Sequence, residues 1–345
     1  MTDSIKEDTK EYYGKVLQKS SDLKTNACCT SVKYPKHIKD ILSIIHDDIL
    51  STYYGCGLVV PDCLDKCNVL DLGCGTGRDV YLLSKLVGQA GTVTGVDMTH
   101  EQLSKAMDYC DYHIEKFGYN HSNIIFVKDE IESLTNFKSN SYDIIVSNCV
   151  VNLSNNKEAV LKRAYSLLKT GGEMYFSDVY SDRRVPEELR KDKVLWGECL
   201  SGALYVNDFL SLVKKCGFID PRKVSINRIT VKNKELEDKL GEIKFYSITY
   251  RLFKLPDLLD AQCEDYGQAV VYNGTIEHSE NVWNLDDHHK FEKGKCALVC
   301  RNTYNMLFHS RFSKHFNFIG DESTHYGVFE GCGTGDLDNV EGGCC

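Results

Sequence analysis

The sequence lacks an unbroken apolar run of about 18 residues, the length that a membrane-spanning helix needs. It is also short of positive charge: 41 Lys and Arg stand against 50 Asp and Glu, and the net charge of −9 disfavours nucleic acid as a partner. The opening residues, MTDSIKEDTKEYYGK, are polar and acidic, so neither a secretory signal nor a transit peptide is expected. These absences predict a cytoplasmic protein with no membrane or nucleic-acid partner.

No Cys-x-x-Cys pair occurs, although the chain has 16 cysteines. A zinc ribbon or a thioredoxin-like motif is therefore not expected. In a reducing compartment these thiols should serve as core fillers, ligands of a soft ion, or redox groups. The closest spacings are Cys63 with Cys67, Cys296 with Cys300, and the adjacent pairs Cys28-Cys29 and Cys344-Cys345. A soft ion would have to draw its ligands from distant parts of the chain.

Between residues 68 and 179, short β-rich runs alternate with helical stretches. The runs are rich in Val and Ile, as is typical of strands buried on both faces, and cover 68–73, 92–98, 124–129, 142–148 and 173–179. Helices are predicted over 78–86, 100–117 and 157–168. Thr99 and Gln102 are expected to form a capping box for the second, and Asn155 or Asn156 to cap the third. The alternation predicts an α/β fold with a Rossmann-like, doubly wound parallel sheet.

We expect the chain to divide into four parts. Residues 1–60 form a helical N-terminal segment, 61–180 the Rossmann-like domain, 181–255 a substrate region, and 256–345 a smaller α+β C-terminal part with an acidic, cysteine-containing tail. Within the third part, 186–218 predicts helix, with Asn207 as the cap of its second stretch. The strands VSINRITV and KFYSITYRLFKL are expected to form an added sheet.

The glycine-rich stretch VLDLGCGTG, residues 69–77, leaves a predicted strand and enters a predicted helix. Gly73 and Gly75 lie in that turn, where a ligand approaches the backbone closely. Asp97 ends the second strand, where an acid can accept hydrogen bonds from ribose hydroxyls. Asp71 would repel the pyrophosphate of NAD but suits a cationic ligand without phosphate. The pattern therefore favours S-adenosylmethionine over NAD.

These motifs resemble those shared by Rossmann-like methyltransferases. The resemblance implies that Asp97 and Met98 hold ribose and adenine. It also implies that the stretch 129–132, with Ile131 and Glu132, lies beside the adenine and that Asn148 faces the sulfonium end. All of these positions lie at the carboxyl ends of predicted strands, where open α/β sheets bind ligands.

The methyl acceptor has to be inferred from the site, since the fold indicates only the cofactor. An oxygen or nitrogen acceptor usually needs a general base near the end of the fourth strand, yet the residue after Asn148 is Cys149. Cys56 and Cys199 also lie among small and aromatic residues, in YYGCGL and WGECLSGALY. Thiolates prefer soft ions, and three of them around a trivalent atom would leave its lone pair to attack the methyl group. Small buried hydrophobes are the expectation for Cys74, Cys110 and Cys216.

Longer segments resemble the arsenite methyltransferase family: YYGKVL (12–17), SSDLKTNACC (20–29), YYGCGLVVP (53–61), VLDLGCGTGRDVY (69–81), VSNCVVNL (146–153), GGEMYFSDVY (171–180) and KVLWGECLSGALY (193–205). The resemblance implies that Cys149 and Cys199 are the indispensable arsenic(III) ligands and Cys56 the third. Cys28 would form a disulfide with Cys56 during turnover, and Tyr54 would contact the cofactor. Arsenite or its glutathione complex would be the substrate, with glutathione or thioredoxin as the thiol reductant. The arsenic site would include parts of the 1–60 and 181–255 regions.

Two other functions compete with this one. A methyltransferase for an organic acceptor, such as a quinone or sterol, would use the same cofactor site but bind an apolar substrate. A non-catalytic thiol protein that stores or senses a soft metal would account for the cysteines but not for the glycine loop and Asp97.

Overall fold

The structure is a computed structural model that describes residue 7 and the ranges 9–13, 34–231 and 233–330. Eight strands among these residues form the main sheet: β1 Asn68–Leu72, β2 Thr92–Asp97, β3 Ile124–Lys128, β4 Tyr142–Asn148, β5 Leu168–Ser181, β6 Leu204–Tyr205, β7 Arg222–Ile229 and β8 Phe245–Phe253. The sheet order is β3-β2-β1-β4-β5-β8-β7, with β6 paired to β5. The first five strands are mutually parallel, which confirms the predicted Rossmann-like sheet.

The expectation of an added sheet after residue 220 is wrong. β8 pairs antiparallel with β5, and β7 pairs antiparallel with β8, so both extend the main sheet. All nine residues of β8 are buried, because the strand lies inside the sheet instead of at a surface of its own. Apolar content alone indicates a strand but not its partner.

Helices flank the strands at these bounds: α1 Lys36–Leu42, α2 Asp47–Leu50, α3 Arg78–Val87, α4 His100–Asp108, α5 Cys110–Phe117, α6 Lys157–Leu167, α7 Glu187–Arg190, α8 Lys193–Gly197, α9 Val206–Lys215, α10 Lys234–Leu240 and α11 Arg301–Phe308. Short 3₁₀ turns cover Val151–Leu153 and Ser313–His315. Within the described ranges, no helix has the length and apolar character needed to cross a membrane.

Several predicted helix boundaries need correction. The stretch 100–117 is two helices, α4 and α5, broken at Tyr109. The predicted capping box of Thr99 and Gln102 does not form: Thr99 makes no side-chain cap, and its N–H donates to Asp97 Oδ1 at 2.8 Å instead of to the Gln102 side chain. The Gln102 side chain donates to the Tyr13 carbonyl at 2.8 Å. The cap at Asn156 is confirmed: its side chain accepts from the Ala159 N–H at 3.0 Å.

The predicted helix over 186–218 is interrupted. Asp192 caps α8 by accepting from two backbone N–H groups, which separates α8 from α7, and a turn then leads to β6. Asn207 is not the cap of α9, because the helix already begins at Val206 and the Asn207 side chain donates to the Tyr205 hydroxyl at 2.7 Å.

The chain beyond the main sheet forms small sheets from β9 Glu264–Asp265, β10 Ala269–Tyr272, β11 Val282–Asn284, β12 Lys290–Glu292, β13 Cys296–Leu298, β14 Phe316–Ile319 and β15 Gly327–Val328. The three-stranded sheet has the order β13-β10-β14, and β11 pairs with β12. Trp283 and Phe312 pack in the core of this region, with Phe253 from β8 in the same cluster. This apolar cluster joins the C-terminal part to the edge of the main sheet.

Candidate active site

A cavity opens at the carboxyl ends of the parallel strands β1, β2 and β4. Every residue that the sequence assigned to cofactor binding lines it: Tyr54, Asp71, Gly73, Gly75, Asp97, Met98, Ile131, Glu132 and Asn148. Cys149 lines the same cavity. The position agrees with the general location of ligand sites in open α/β sheets.

The glycine turn and Asp97 are held together by backbone hydrogen bonds. Gly73 and Gly75 have φ angles of 72° and 54°, which a residue with a Cβ adopts only with strain. The Gly75 N–H donates to one Asp97 carboxylate oxygen at 2.9 Å, and the Thr99 N–H donates to the other at 2.8 Å. Each carboxylate oxygen has a second acceptor position. The side chain is therefore fixed and can still accept hydrogen bonds from ligand hydroxyls.

Carboxylates concentrate in the floor of the cavity. Burial, together with the nearby Asp79 and Asp97, raises the pKa of Asp71 well above its ordinary value. Burial also raises the pKa of Asp97, although the N–H groups of Thr99 and Gly75 oppose the shift. A bound cation would favour the ionised form of both acids.

The cavity also contains an unsatisfied polar atom. Gln102 Oε1 is buried and has no hydrogen-bond partner among the described residues. It faces the glycine turn, since a Cβ built on Gly75 would lie 3.8 Å from it. Together with the carboxylates, this amide oxygen forms an acceptor-rich surface beside the turn. The guanidinium of Arg78, which also lines the cavity, lies 3.6 Å from the Asp79 carboxylate and donates to the Tyr34 hydroxyl at 3.0 Å. That donor and acceptor set fits a cationic nucleoside such as S-adenosylmethionine.

Asn148 ties the cavity to the loop that carries Cys56. Its Oδ1 accepts from the Cys56 N–H at 3.0 Å, and its Nδ2 donates to the Gly57 carbonyl at 3.0 Å and to the Tyr53 hydroxyl at 2.7 Å. A Cβ on Gly57 would lie 2.3 Å from Ser177 Oγ, and a Cβ on Gly55 would lie 2.8 Å from Asn148 Nδ2. Cys56 is flanked by glycines because the loop packs directly against Asn148 at the end of β4 and against Ser177 of β5.

Cys149 follows the last residue of β4 and is buried, with a φ angle of 58°. It is joined to Cys56 by a disulfide, with 5.9 Å between the two Cα atoms. The sequence does not predict this bond, which joins residues 93 positions apart. The predicted pairing of Cys28 with Cys56 stays a prediction, because Cys28 lies outside the described residues.

Cys199 occupies the turn that ends α8. The Cys199 N–H donates to the Trp196 carbonyl and the Leu200 N–H donates to the Leu195 carbonyl, each at 2.9 Å, which is the Schellman pattern. Cys199 has a φ angle of 62° at the position where glycine is most common. Its thiol donates to the Cys149 carbonyl at 3.2 Å. The structure thus brings Cys56, Cys149 and Cys199 into one buried cluster.

In this form the sulfur atoms of Cys56 and Cys149 are bonded to each other and cannot act as thiolate ligands of arsenic. Across the described ranges, no three side chains of His, Cys, Asp or Glu converge closely enough to hold a metal ion. Burial raises the pKa of the Cys74, Cys110 and Cys216 thiols, which disfavours their reactive thiolate forms. Cys74 nevertheless lines the cavity.

Several residues that line the cavity are given no part in ligand binding by the sequence predictions. Thr9 and Tyr13 line the cavity from the N-terminal segment, and Gln102 lines it from α4. Arg78 places its guanidinium 3.6 Å from the centre of the Tyr53 ring. The adjacent tyrosines at positions 12 and 13 are conspicuous in the sequence. Their partners near position 198 could not be predicted, because those residues lie more than 180 positions away.

The comparisons with known proteins agree with this geometry. A family profile described as a methyltransferase domain matches residues 64–217, and one described as the arsenite methyltransferase C-terminal domain matches residues 266–336. The arsenite methyltransferase of Aquipseudomonas alcaligenes is 55% identical over 331 residues, which cover 95% of both chains. That of Homo sapiens is 45% identical over 342 residues, covering 97% of this chain and 89% of its own.

The chain belongs to the arsenite methyltransferase family. It is accordingly an S-adenosylmethionine-dependent methyltransferase. A solved structure of an arsenic(III) S-adenosylmethionine methyltransferase from Chlamydomonas reinhardtii is similar, with a TM-score of 0.84 and 46% identity over 86% of this chain and all of that one. Family membership favours arsenic over the organic acceptor that the sequence left open, and it does not support a non-catalytic role.

Proposed function

We propose that this arsenite methyltransferase family member transfers methyl groups to trivalent arsenic held by Cys56, Cys149 and Cys199, converting arsenite to methyl- and dimethylarsenicals. The observation that carries the proposal is the position of Cys149. It lines the cofactor cavity and also contacts both other predicted ligands. The arsenite methyltransferases to which the chain is similar support the choice of substrate.

The cavity residues have distinct roles in this proposal. When bound, S-adenosylmethionine supplies an electrophilic methyl group on a sulfonium. Asp97 accepts hydrogen bonds from ribose hydroxyls, and Met98, Ile131 and Glu132 surround the base. Asp71 provides negative charge for the cationic end, while Tyr54 and Asn148 line the cavity close to the cysteines.

Arsenic binding needs the thiols in their reduced form. A thiol reductant attacks the Cys56–Cys149 disulfide, and a second thiol resolves the mixed disulfide, which releases both protein thiols. The thiols of Cys56, Cys149 and Cys199 then exchange with the three ligands of arsenite or of its glutathione complex. Each exchange transfers one proton to the leaving hydroxide or thiolate. The arsenic lone pair is left to take the methyl group, so no general base is required.

Methyl transfer formally oxidises arsenic by two electrons. Two thiols return those electrons, forming a disulfide and releasing two protons. Cys28 and Cys56 are the proposed pair, and the Cys56–Cys149 bond supports Cys56 as the thiol common to the redox steps. Glutathione or thioredoxin of the cytoplasm would reduce the disulfide and restore the enzyme.

Cysteine variants test this scheme with methyl-labelled S-adenosylmethionine and separated arsenical products. Cys149→Ser and Cys199→Ser should abolish methylation of both arsenite and methylarsenite. Cys56→Ser and Cys28→Ser should lose arsenite methylation but convert methylarsenite to dimethylarsenical, because a methylated arsenic needs only two thiolates. Cys216→Ser is the control and should keep both activities. Full activity of Cys149→Ser on arsenite would overturn the proposal.

A further inference from the structure

The N-terminal segment contacts the turn that carries Cys199. The Tyr12 hydroxyl donates to Glu198 Oε1 at 2.9 Å, and the Glu198 side chain is fully buried. The Tyr13 hydroxyl donates to the Gly197 carbonyl at 2.7 Å. Both hydrogen bonds end within two residues of Cys199. The segment is therefore attached to the backbone that positions this thiol.

The same segment covers the cofactor cavity. Tyr13 lines that cavity, and its carbonyl accepts from Gln102 Nε2, a cavity residue of α4. The Tyr13 ring lies edge-on to the ring of Tyr54, another cavity residue, with 5.7 Å between centroids. Adjacent tyrosines thus face two ligand sites: Tyr13 the cofactor cavity, and Tyr12 the Cys199 turn.

The contact is close enough to transmit movement. A Cβ built on Gly197 would lie 2.6 Å from carbon atoms of the Tyr12 ring, so the ring lies directly on the backbone. The turn itself is closed by the two Schellman hydrogen bonds that enclose Cys199. A displacement of Tyr12 would consequently shift Glu198 and Cys199 together.

We infer that Tyr12 and Glu198 are positioning residues that couple occupancy of the cofactor cavity to the arsenic affinity of the Cys199 site. This inference rests on the proposed function, because it takes Cys199 as an arsenic ligand. An occupied cavity holds the N-terminal segment through Tyr13, and Tyr12 then holds the Cys199 turn in its ligating position. Such coupling is reciprocal, so arsenite must strengthen cofactor binding by the same factor.

The test measures binding, not turnover, on the reduced full chain. Arsenite affinity is determined by equilibrium dialysis with and without saturating S-adenosylhomocysteine, which cannot donate a methyl group. In the unmodified protein, S-adenosylhomocysteine should tighten arsenite binding by roughly 5-fold or more. In Tyr12→Phe the ratio of arsenite affinity with S-adenosylhomocysteine to arsenite affinity without it should fall to near one. The arsenite affinity without the nucleoside should change little. Calorimetry of S-adenosylhomocysteine with and without arsenite should return the same ratios.

Conservative variants separate the hydrogen bond from general packing. Glu198→Gln keeps an oxygen acceptor for the Tyr12 hydroxyl and should preserve most of the coupling, whereas Glu198→Ala should lose it. Combining Tyr12→Phe with Glu198→Ala should cause no further loss. Tyr326→Phe removes a hydroxyl from a ring that is 67% exposed and should leave the ratio unchanged.

An unchanged ratio in Tyr12→Phe, or a ratio of one in the unmodified protein, would overturn the inference. Arsenite binding that is equally tight in Cys199→Ser would instead contradict the proposed function. The two failures are therefore distinguishable by the same dialysis measurement.

Discussion

Cys149 and Cys199 share a backbone conformation that cysteine rarely adopts. Their φ angles of 58° and 62° lie in the left-handed region, which costs a residue with a Cβ roughly 1–2 kcal/mol. Strain of this kind is concentrated at functional sites, where the surrounding structure enforces it. In both residues the conformation places the sulfur atom inside the same buried cluster.

This strain predicts a trade-off between stability and function at Cys199. Cys199→Gly should unfold at a higher urea concentration than Cys199→Ala, by about 1 kcal/mol in free energy of unfolding, because glycine adopts positive φ without strain. Both variants should lose arsenic methylation. The comparison is made by urea denaturation of the reduced proteins. An alanine variant that is as stable as the glycine variant would show that the turn is not strained.

The raised pKa of Asp71 predicts a pH dependence of cofactor binding. A sulfonium favours ionised Asp71, so its binding releases protons and its affinity should rise with pH until the acid is already ionised in the empty cavity. S-adenosylhomocysteine lacks the sulfonium charge and should show a shallower dependence. Calorimetry of both ligands from acidic to mildly alkaline pH checks this, with Asp71→Asn as the variant that removes the difference. Parallel pH profiles for the two ligands would contradict the prediction.

At the scale of elements, the sequence predicts what local chemistry determines. Buried parallel strands are continuous in Val and Ile, so β1 to β4 appear within one or two residues of their predicted bounds. The antiparallel pairing of β8 with β5 is not predictable in this way, because it depends on packing between distant segments. The division of the chain at residues 60, 180 and 255 stays a prediction.

The residues of the candidate site likewise separate into those that local sequence predicts and those that depend on distant contacts. Gly73, Gly75 and Asp97 lie at or just after the carboxyl ends of predicted strands, and the residue pattern alone predicts them as part of a nucleoside site. Contacts such as Tyr12 with Glu198, 186 positions apart, have no local signature. The place of Cys149 beside the cofactor follows from its position after Asn148, whereas the grouping of Cys56 with it rests mainly on family resemblance, since nothing near either cysteine identifies its partner.

The close approach of the Cys56 loop to β5 predicts the effect of a single methyl group. Gly57→Ala would push against Ser177 Oγ and displace Cys56, lowering arsenite methylation on the order of 10-fold to 100-fold. Methylarsenite conversion should fall much less, because the proposed scheme does not use Cys56 in that step. Adding Ser177→Gly should restore arsenite methylation by removing the obstructing side chain. Equal losses in both methylation steps would contradict this role of the loop.

At the scale of the whole molecule, a buried charge cluster joins the C-terminal part to the main sheet. Glu173 of β5 is fully buried, lies 2.9 Å from Arg251 Nε of β8, and accepts a hydrogen bond from Arg311. Arg311 Nε also donates to the Asp62 carbonyl at 2.8 Å. The arginines would be left buried without this carboxylate, so Glu173 should be critical for stability.

Glu173→Ala is expected to lower the free energy of unfolding by about 3–5 kcal/mol, the usual effect of removing one partner from a buried ion pair. Urea denaturation measures the loss, and labelled methyl transfer at low temperature should show that the folded fraction remains active. Lys36→Ala, which removes an exposed ion pair with Asp40, is the control and should have no resolvable effect. Unchanged stability of Glu173→Ala would mean that apolar packing alone holds the C-terminal part in place.

The central claim, that three thiolates hold the arsenic which accepts the methyl group, is tested most directly by X-ray absorption at the arsenic edge. Reduced protein loaded with one equivalent of arsenite should show three sulfur neighbours around arsenic in the presence of S-adenosylhomocysteine. Cys56→Ser should show two sulfur neighbours and one oxygen. Arsenic with oxygen neighbours alone, or a sulfur shell unchanged in both Cys149→Ser and Cys199→Ser, would contradict the account.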